Sequence, residues 1–115
     1  MADLVNISSV AGRTPRLGSG VYNLTKFGVG AFSESLRQEV TARGVRISLV
    51  EPGAVATELT DHITQPEAKA ASKQMAQDMR TLQSDDIARA ILYVVSQPPH
   101  VAINEVLVRP TDQER

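Results

Sequence analysis

The chain has 115 residues, 42% of them apolar and 22% charged, and its 12 basic and 13 acidic residues leave a formal net charge of −1. This balance is typical of one ordinary globular domain and argues against a nucleic-acid partner or a membrane surface, and the 3% aromatic content disfavours a base-stacking surface. The lack of cysteine excludes disulfides and thiolate metal sites, and without a visible signal peptide or membrane-length apolar run we expect a cytoplasmic protein with no metal ligands.

The first predicted element is a strand over residues 3–9, with the sequence DLVNISS. Its apolar and β-branched residues suit a strand interior, and the two serines mark its end. Residues 10–20 contain three glycines and a proline, which is typical of a loop. The pattern therefore predicts a buried strand that runs directly into a loop.

The next predicted element is a helix over residues 22–43, stopped by Gly44. Three apolar residues recur at helical spacing on one side: Phe32, Leu36 and Val40. Gly28 and Gly30 are unusual inside a helix, because each costs about 1 kcal/mol relative to alanine. Together with the alanine and serines that follow, they predict a small-residue surface against which another backbone packs.

The rest of the chain continues the alternation of strands and helices. In chain order we predict a strand at 45–51, a loop at 54–64, a helix at 66–79, a helix capped by Ser84, and a strand at 101–108. Pro52-Gly53 ends the middle strand. Apolar strands separated by helices predict an α/β fold with a parallel sheet of about three strands. A sheet this small has an open edge that needs a cover.

Ser9, Tyr22 and Lys26 are candidates for proton transfer to a carbonyl oxygen. The four-residue spacing places Tyr22 and Lys26 on one helix face, so that the ammonium can lie beside the phenol. A neighbouring cation favours the phenolate, which makes a tyrosine usable as a general acid and base near neutral pH. The hydroxyl of Ser9, at the end of a nearby strand, can hold the same oxygen. A Tyr-x-x-x-Lys pair also arises by chance on surface helices, so the spacing alone leaves both interpretations open.

Three segments match a known family in order and spacing: NISSVAG at 6–12, YNLTK at 22–26 and PGAVAT at 52–57. Together they resemble the C-terminal half of a short-chain dehydrogenase/reductase, and the resemblance covers essentially all 115 residues. It implies the C-terminal half of a doubly wound parallel-sheet, Rossmann-type domain. The stretches at 22–40 and 103–113 look most like the bacterial NADP-dependent branch that includes clavaldehyde dehydrogenase.

The resemblance implies a role for each residue of the candidate triple. Ser9 would hydrogen-bond the substrate oxygen, and Tyr22 would be the general acid and base. Lys26 would assist the tyrosine and hydrogen-bond the nicotinamide ribose. The implied reaction is hydride transfer between a nicotinamide cofactor and a small carbonyl or alcohol substrate, with the proton carried by the tyrosine.

The resemblance also implies a cofactor, with NADP(H) favoured and NAD(H) possible. Six positions would contact it: Tyr22, Lys26, Pro52, Gly53, Val55 and Thr57. Among them the proline and glycine would shape the nicotinamide pocket, while the Val55 backbone and the Thr57 side chain would bind the carboxamide. We expect a homo-oligomer that assembles through the 22–43 helix and the last strand.

Residues 1–115 contain no glycine-rich turn of the kind that cradles a pyrophosphate after a strand. Gly28-Val29-Gly30 lies inside the predicted helix and lacks the third glycine, so it is not that fingerprint. We therefore expect the isolated chain to be inactive. Two alternatives stay open, namely an isomerase, dehydratase or epimerase on the same scaffold, and a non-catalytic assembly module that pairs through the sheet edge and the Gly28–Ser35 helix face.

Overall fold

The computed structural model describes residues 1–56 and 66–115, with the backbone alone at positions 68, 72 and 75–78. The main elements are β1 (Ala2–Ile7), α1 (Gly20–Val40), β2 (Val45–Pro52), α2 (Pro66–Asp78), α3 (Ser84–Val95) and β3 (Glu105–Val108). The strands form one sheet in the order β1-β2-β3, and both pairs are parallel. This confirms the predicted fold class.

The middle strand forms the centre of the fold. Ile47, Leu49 and Val50 of β2 are among the most buried apolar side chains of the described residues, because β2 is paired on both edges. Side chains alternate along the strand, so Leu49 points toward α1. Its Cδ2 would lie 3.7 Å from a Cβ if Gly30 of that helix carried one. Arg46 points to the other face and donates to the Val95 carbonyl at the end of α3. Helices therefore cover both faces of the sheet.

Two predicted boundaries around the first helix are wrong by a few residues. β1 ends at Ile7, so both serines lie beyond the strand, and α1 begins at Gly20. The α-helix stops at Val40 and continues as one 3₁₀ turn, Thr41–Arg43. The predicted stop is confirmed, since Gly44 has the left-handed φ of 79° that a helix-ending glycine supplies.

The last helix and strand also differ from the prediction. Gln83, not Ser84, caps α3, because its side chain and that of Asp86 exchange hydrogen bonds with each other's backbone amides. β3 begins at Glu105 rather than at residue 101. Two carbonyls in the preceding residues are taken by β2 side chains instead of the sheet ladder, with Arg46 Nη1 donating to Val101 O at 2.7 Å and Ser48 Oγ donating to Ile103 O at 2.6 Å.

The predicted small-residue surface on α1 is divided between two faces. Gly30 faces the sheet, and Ser33 is buried, accepting a hydrogen bond from Asn6 Nδ2 at 2.9 Å. Among the described residues a Cβ on Gly28 would meet nothing within 4 Å, so close packing against that part of the chain does not need this glycine. None of the helices in the described ranges is long and apolar enough to cross a membrane.

Candidate active site

The site is built where β1 and β2 end. The two strands are parallel, so their carboxyl ends lie at the same edge of the sheet, the edge at which open α/β sheets bind ligands. The Ser8 amide donates to Val50 O at 2.8 Å and extends the ladder by one residue. Ser9 follows this extended pairing, at the sheet edge where β2 ends with Pro52.

Ser9 lies just beyond β1, at the start of the 3₁₀ turn Val10–Gly12. Its backbone is extended, with φ −164° and ψ 161°, and its Oγ accepts the Ala11 amide at 3.1 Å as the cap of that turn. A hydroxyl that accepts one bond retains its own hydrogen for donation. The half-buried Ser9 hydroxyl is therefore fixed by the backbone and retains a hydrogen to donate to another oxygen.

Tyr22 and Lys26 occupy successive turns at the beginning of α1, as predicted. The Lys26 Nζ lies 5.6 Å from the centroid of the Tyr22 ring, within the range of a cation–π contact. The tyrosine side chain is 41% exposed, while Lys26 is half-buried. The spacing thus brings the Lys26 ammonium over the face of an accessible tyrosine ring.

Ser9 is linked to the Tyr22–Lys26 turn through its neighbours. Ser8 Oγ donates to the Lys26 carbonyl at 3.2 Å, and Ser8 is buried. A Cβ on Gly12 would lie 2.7 Å from Ser8 Oγ and 3.0 Å from the Lys26 carbonyl oxygen. The 3₁₀ turn can approach the helix this closely only because residue 12 is glycine.

Asn23 makes the second link, and the sequence reasoning missed it. This buried side chain donates to Ala11 O at 2.7 Å and Thr14 O at 3.2 Å, and it accepts from the Arg16 amide at 3.3 Å. One amide therefore satisfies three backbone groups of the loop between Ser9 and Tyr22. An asparagine in the first turn of a helix, directly after a glycine-rich loop, is the signal that points to such a contact.

The turn after β2 carries the predicted nicotinamide residues. Pro52 is the last residue of the strand and is buried, and the Gly53 amide donates to Val108 O at 2.7 Å. Val55 forms an isolated parallel bridge with Leu82. That bridge uses the carbonyl of residue 54 and the amide of residue 56, so the Val55 amide and carbonyl point away from Leu82. Thr57, the last predicted residue, lies outside the described residues.

A buried carboxyl lies directly before this turn. Glu51 is 1% exposed, and its Oε1 has no hydrogen-bond partner within the described part of the chain. Arg13 Nη1 lies 3.7 Å from that oxygen and 3.7 Å from Glu105 Oε1. Burial and the neighbouring Glu105 raise the pKa of Glu51 to about 7, against the opposing effect of the Arg13 guanidinium. The sequence reasoning assigned no role to this residue.

The family model for short chain dehydrogenases matches residues 1–68, which include every predicted site residue. The chain belongs to this family. Gly28-Val29-Gly30 lies inside α1, as predicted, and is not a dinucleotide-binding turn.

Similar proteins support the family assignment. An uncharacterized oxidoreductase of Staphylococcus saprophyticus is 40% identical over 96% of this chain and 45% of its own length. A serine 3-dehydrogenase of Agrobacterium fabrum is 39% identical over 96% of this chain and 44% of its own length. The chain therefore spans about half the length of the curated relatives it matches.

The fold is also similar to that of a solved structure. The closed form of a serine dehydrogenase complexed with NADP+ superposes with a TM-score of 0.87 and 31% identity, covering 98% of this chain and 46% of that one. The likeness to clavaldehyde dehydrogenase is not among these matches and stays a prediction.

Proposed function

We propose that this chain supplies the catalytic and nicotinamide half of an NADP(H)-dependent oxidoreductase that interconverts a carbonyl compound and its alcohol. The observation that carries the proposal is the Lys26 ammonium over the Tyr22 ring, 5.6 Å from its centroid, at the carboxyl edge of the sheet. Family membership makes this interpretation preferable to a chance surface pair.

In the proposed reduction, Tyr22 gives its phenolic proton to the carbonyl oxygen as that oxygen gains negative charge. Lys26 stabilises the phenolate that remains, and the Ser9 hydroxyl donates a hydrogen bond to the same substrate oxygen. The hydride comes from bound NADPH. In the oxidation direction Tyr22 takes the proton back, so the reaction is balanced in both directions.

The residues after β2 fit the nicotinamide end of the cofactor. The Val55 amide and carbonyl point away from the Leu82 bridge, and a carboxamide needs one donor and one acceptor of this kind. We propose that Pro52 and Gly53 shape the pocket wall and that Thr57 binds the same carboxamide. NADP(H) is favoured because the similar serine dehydrogenase structure contains NADP+.

We propose that residues 1–115 form a partial Rossmann-type domain and do not reduce carbonyls alone. The reason is that they contain no glycine-rich turn between a strand and a helix to bind the pyrophosphate. A homo-oligomer that forms through α1 and β3, and a cytoplasmic location suited to a cysteine-free sequence, belong to the same proposal.

The test joins this chain to the residues that precede the matching region of the Agrobacterium serine 3-dehydrogenase. We expect the chimera to consume NADPH when an aldehyde is added, and Tyr22→Phe to lower kcat/KM by roughly 100-fold or more, the usual contribution of a general acid. Tyr93→Phe is the matched control, because Tyr93 is an exposed tyrosine on α3.

The proposal fails if the folded chimera binds NADPH and Tyr22→Phe reacts as fast as the parent. If NADPH is not consumed but the substrate is converted to an isomer, the isomerase or epimerase alternative is correct. The unjoined chain is measured in parallel, and we expect it to show no carbonyl-dependent loss of NADPH.

A further inference from the structure

We propose that Gln113 is a positioning residue for the nicotinamide turn, acting through the backbone of residue 54. This inference rests on the proposed function. Gln113 Oε1 accepts the Ala54 amide at 2.9 Å, and Gln113 Nε2 donates to Arg115 O at 2.6 Å. Both ends of the glutamine amide are therefore occupied, which fixes the direction in which its oxygen points.

The path from β3 to Gln113 is short and well fixed. β3 ends at Val108, whose carbonyl accepts the Gly53 amide at 2.7 Å, and Pro110 is buried. The Gln113 amide then donates to Pro110 O at 3.0 Å and closes a turn. The end of β3 and the tail that follows it (residues 109–115) therefore contact the nicotinamide turn at two successive amides, those of Gly53 and Ala54.

Gly53 packs closely against residues of this tail. A Cβ at position 53 would overlap Gln113 Oε1 and lie 3.2 Å from Gln113 Cδ and from Pro110 Cδ. Gly53 is not among the glycines with positive φ, so packing against the residues after β3, not backbone strain, is what favours glycine here. Gln113 and Gly53 thus form one packed unit.

The neighbouring Asp112 fixes a second backbone stretch. Its Oδ2 accepts the Arg80 amide at 2.9 Å and Arg80 Nε at 3.3 Å, and the Arg80 amide holds the pKa of Asp112 below its usual range. Arg80 lies two residues from Leu82, which pairs with Val55. The residues after β3 therefore support Val55 from both sides, directly at residue 54 and through the segment around Leu82 that bridges to it.

This support matters because Val55 carries the proposed carboxamide contacts. Its amide and carbonyl can face a ligand only while the carbonyl of residue 54 and the amide of residue 56 stay bonded to Leu82. Without Gln113 the Gly53–Ala54 peptide loses its side-chain acceptor, and the backbone that leads into the Leu82 bridge is held less firmly, so the Val55 groups are less well directed. The expected effect is weaker binding of the nicotinamide portion with no change in global stability.

The first measurement is amide hydrogen exchange of the 115-residue chain, followed residue by residue by NMR. We expect the Ala54 amide to be protected in the parent and to exchange roughly tenfold faster in Gln113→Leu, since one hydrogen bond is lost. Gln113→Glu retains the acceptor and should restore the protection. Gln38→Leu, which removes an exposed amide on α1, is the matched control.

The second measurement is binding of reduced nicotinamide mononucleotide, which carries the nicotinamide, its ribose and one phosphate but no adenine. We expect Gln113→Leu to weaken binding several-fold, Gln113→Glu to restore it, and Gln38→Leu to leave it unchanged.

The inference is overturned if the Ala54 amide of the parent exchanges at the unprotected rate, a result that needs no variant. It is also overturned if the parent binds the mononucleotide and Gln113→Leu binds it equally well. If Ala54 depends on Gln113 but the parent does not bind the mononucleotide, the nicotinamide assignment fails, and with it the role of Gln113 in binding, while the tail contact itself is verified. The two failures are therefore distinguishable.

Discussion

Asn23 shows how much of the site depends on one side chain that takes no part in the proposed chemistry. It is buried beside Tyr22 and bonds three backbone groups of the preceding loop. Replacing it by alanine leaves those groups unsatisfied inside the protein. We expect Asn23→Ala to lower the free energy of unfolding by about 2 kcal/mol, measured by urea denaturation.

The control for this prediction is Gln38→Ala, because Gln38 is an exposed amide on α1 that bonds Glu34. We expect it to change the free energy of unfolding by no more than about 0.5 kcal/mol. Equal losses in the two variants would contradict the structural role assigned to Asn23.

Glu51 makes the stability of the chain depend on pH. Burial raises its pKa from an ordinary 4.5 to about 7 in the folded state, so between these values the folded chain binds more protons than the unfolded chain. The free energy of unfolding contributed by this group therefore falls as pH rises from about 4.5 to 7. Glu51→Gln should flatten that part of the profile, measured by urea denaturation at several pH values.

Glu105→Gln provides an independent check on the same carboxyl. Glu105 lies near Glu51 across Arg13 and contributes to the raised pKa of Glu51. Removing its charge should move the fall in stability to lower pH without abolishing it. A profile that Glu51→Gln leaves unchanged would refute the assignment.

Among the elements, the α3–sheet connection depends on a single arginine. Arg46 of β2 forms a bidentate pair with Asp3 at 2.6 and 3.0 Å and donates to four carbonyls at and after the end of α3. The same pair aligns β1 with β2, since Asp3 and Arg46 are register partners. It holds the pKa of Asp3 below its ordinary 3.8, so its stabilisation is lost as pH falls below that value.

We expect Arg46→Met to lower the free energy of unfolding by about 3 kcal/mol or more, because it leaves one carboxylate and several carbonyls without their donor. Chemical denaturation measures this directly. Arg89→Met is the matched control, since Arg89 pairs with Asp85 and Asp86 but is 68% exposed, and a change within about 1 kcal/mol is expected there. A similar loss in both would show that the Arg46 network contributes little.

At the scale of the whole molecule, the apolar surface is more than one small domain usually exposes. Within the described residues the only buried apolar side chains besides two prolines are Ile47, Leu49, Val50 and Val94. Large apolar residues remain exposed along α1, including Leu24 at 72% and Phe32 at 61%. The radius of gyration is 15.4 Å, against about 13 Å for a compact domain of this length. Such a surface favours association.

We therefore expect the purified chain to self-associate, and the double variant Leu24→Lys, Phe32→Glu to shift it toward monomer in sedimentation equilibrium. Gln38→Lys adds charge to the same helix at a polar position and should leave the association unchanged. A parent that is strictly monomeric would rule out an α1 interface and would also remove the main support for the assembly-module alternative.

Features of the fold that depend on neighbouring residues differ in predictability from those that depend on residues distant in the chain. Strand and helix order, the stop at Gly44 and the helical spacing of Tyr22 and Lys26 were predictable, because each depends on neighbouring residues in the chain. The end of α3 and the start of β3 were not. The Val95 carbonyl at the end of α3 bonds to Arg46 and the Ile103 carbonyl before β3 bonds to Ser48, and these partners lie 49 and 55 residues earlier in the chain.

By itself the sequence determined the α/β alternation, which follows from periodicity. It also determined the family and the residues proposed for chemistry, which follow from the resemblance of three motifs to a known family. Only the tertiary structure decided which residues fix that chemistry in place. Asn23 looks like an ordinary helix residue, Gln113 looks like a residue of a polar C-terminal segment, and Glu51 looks like a strand-end charge. Each acquires its role from burial or from hydrogen bonds that folding alone creates, and only Asn23 stands in a local pattern that points to such a contact.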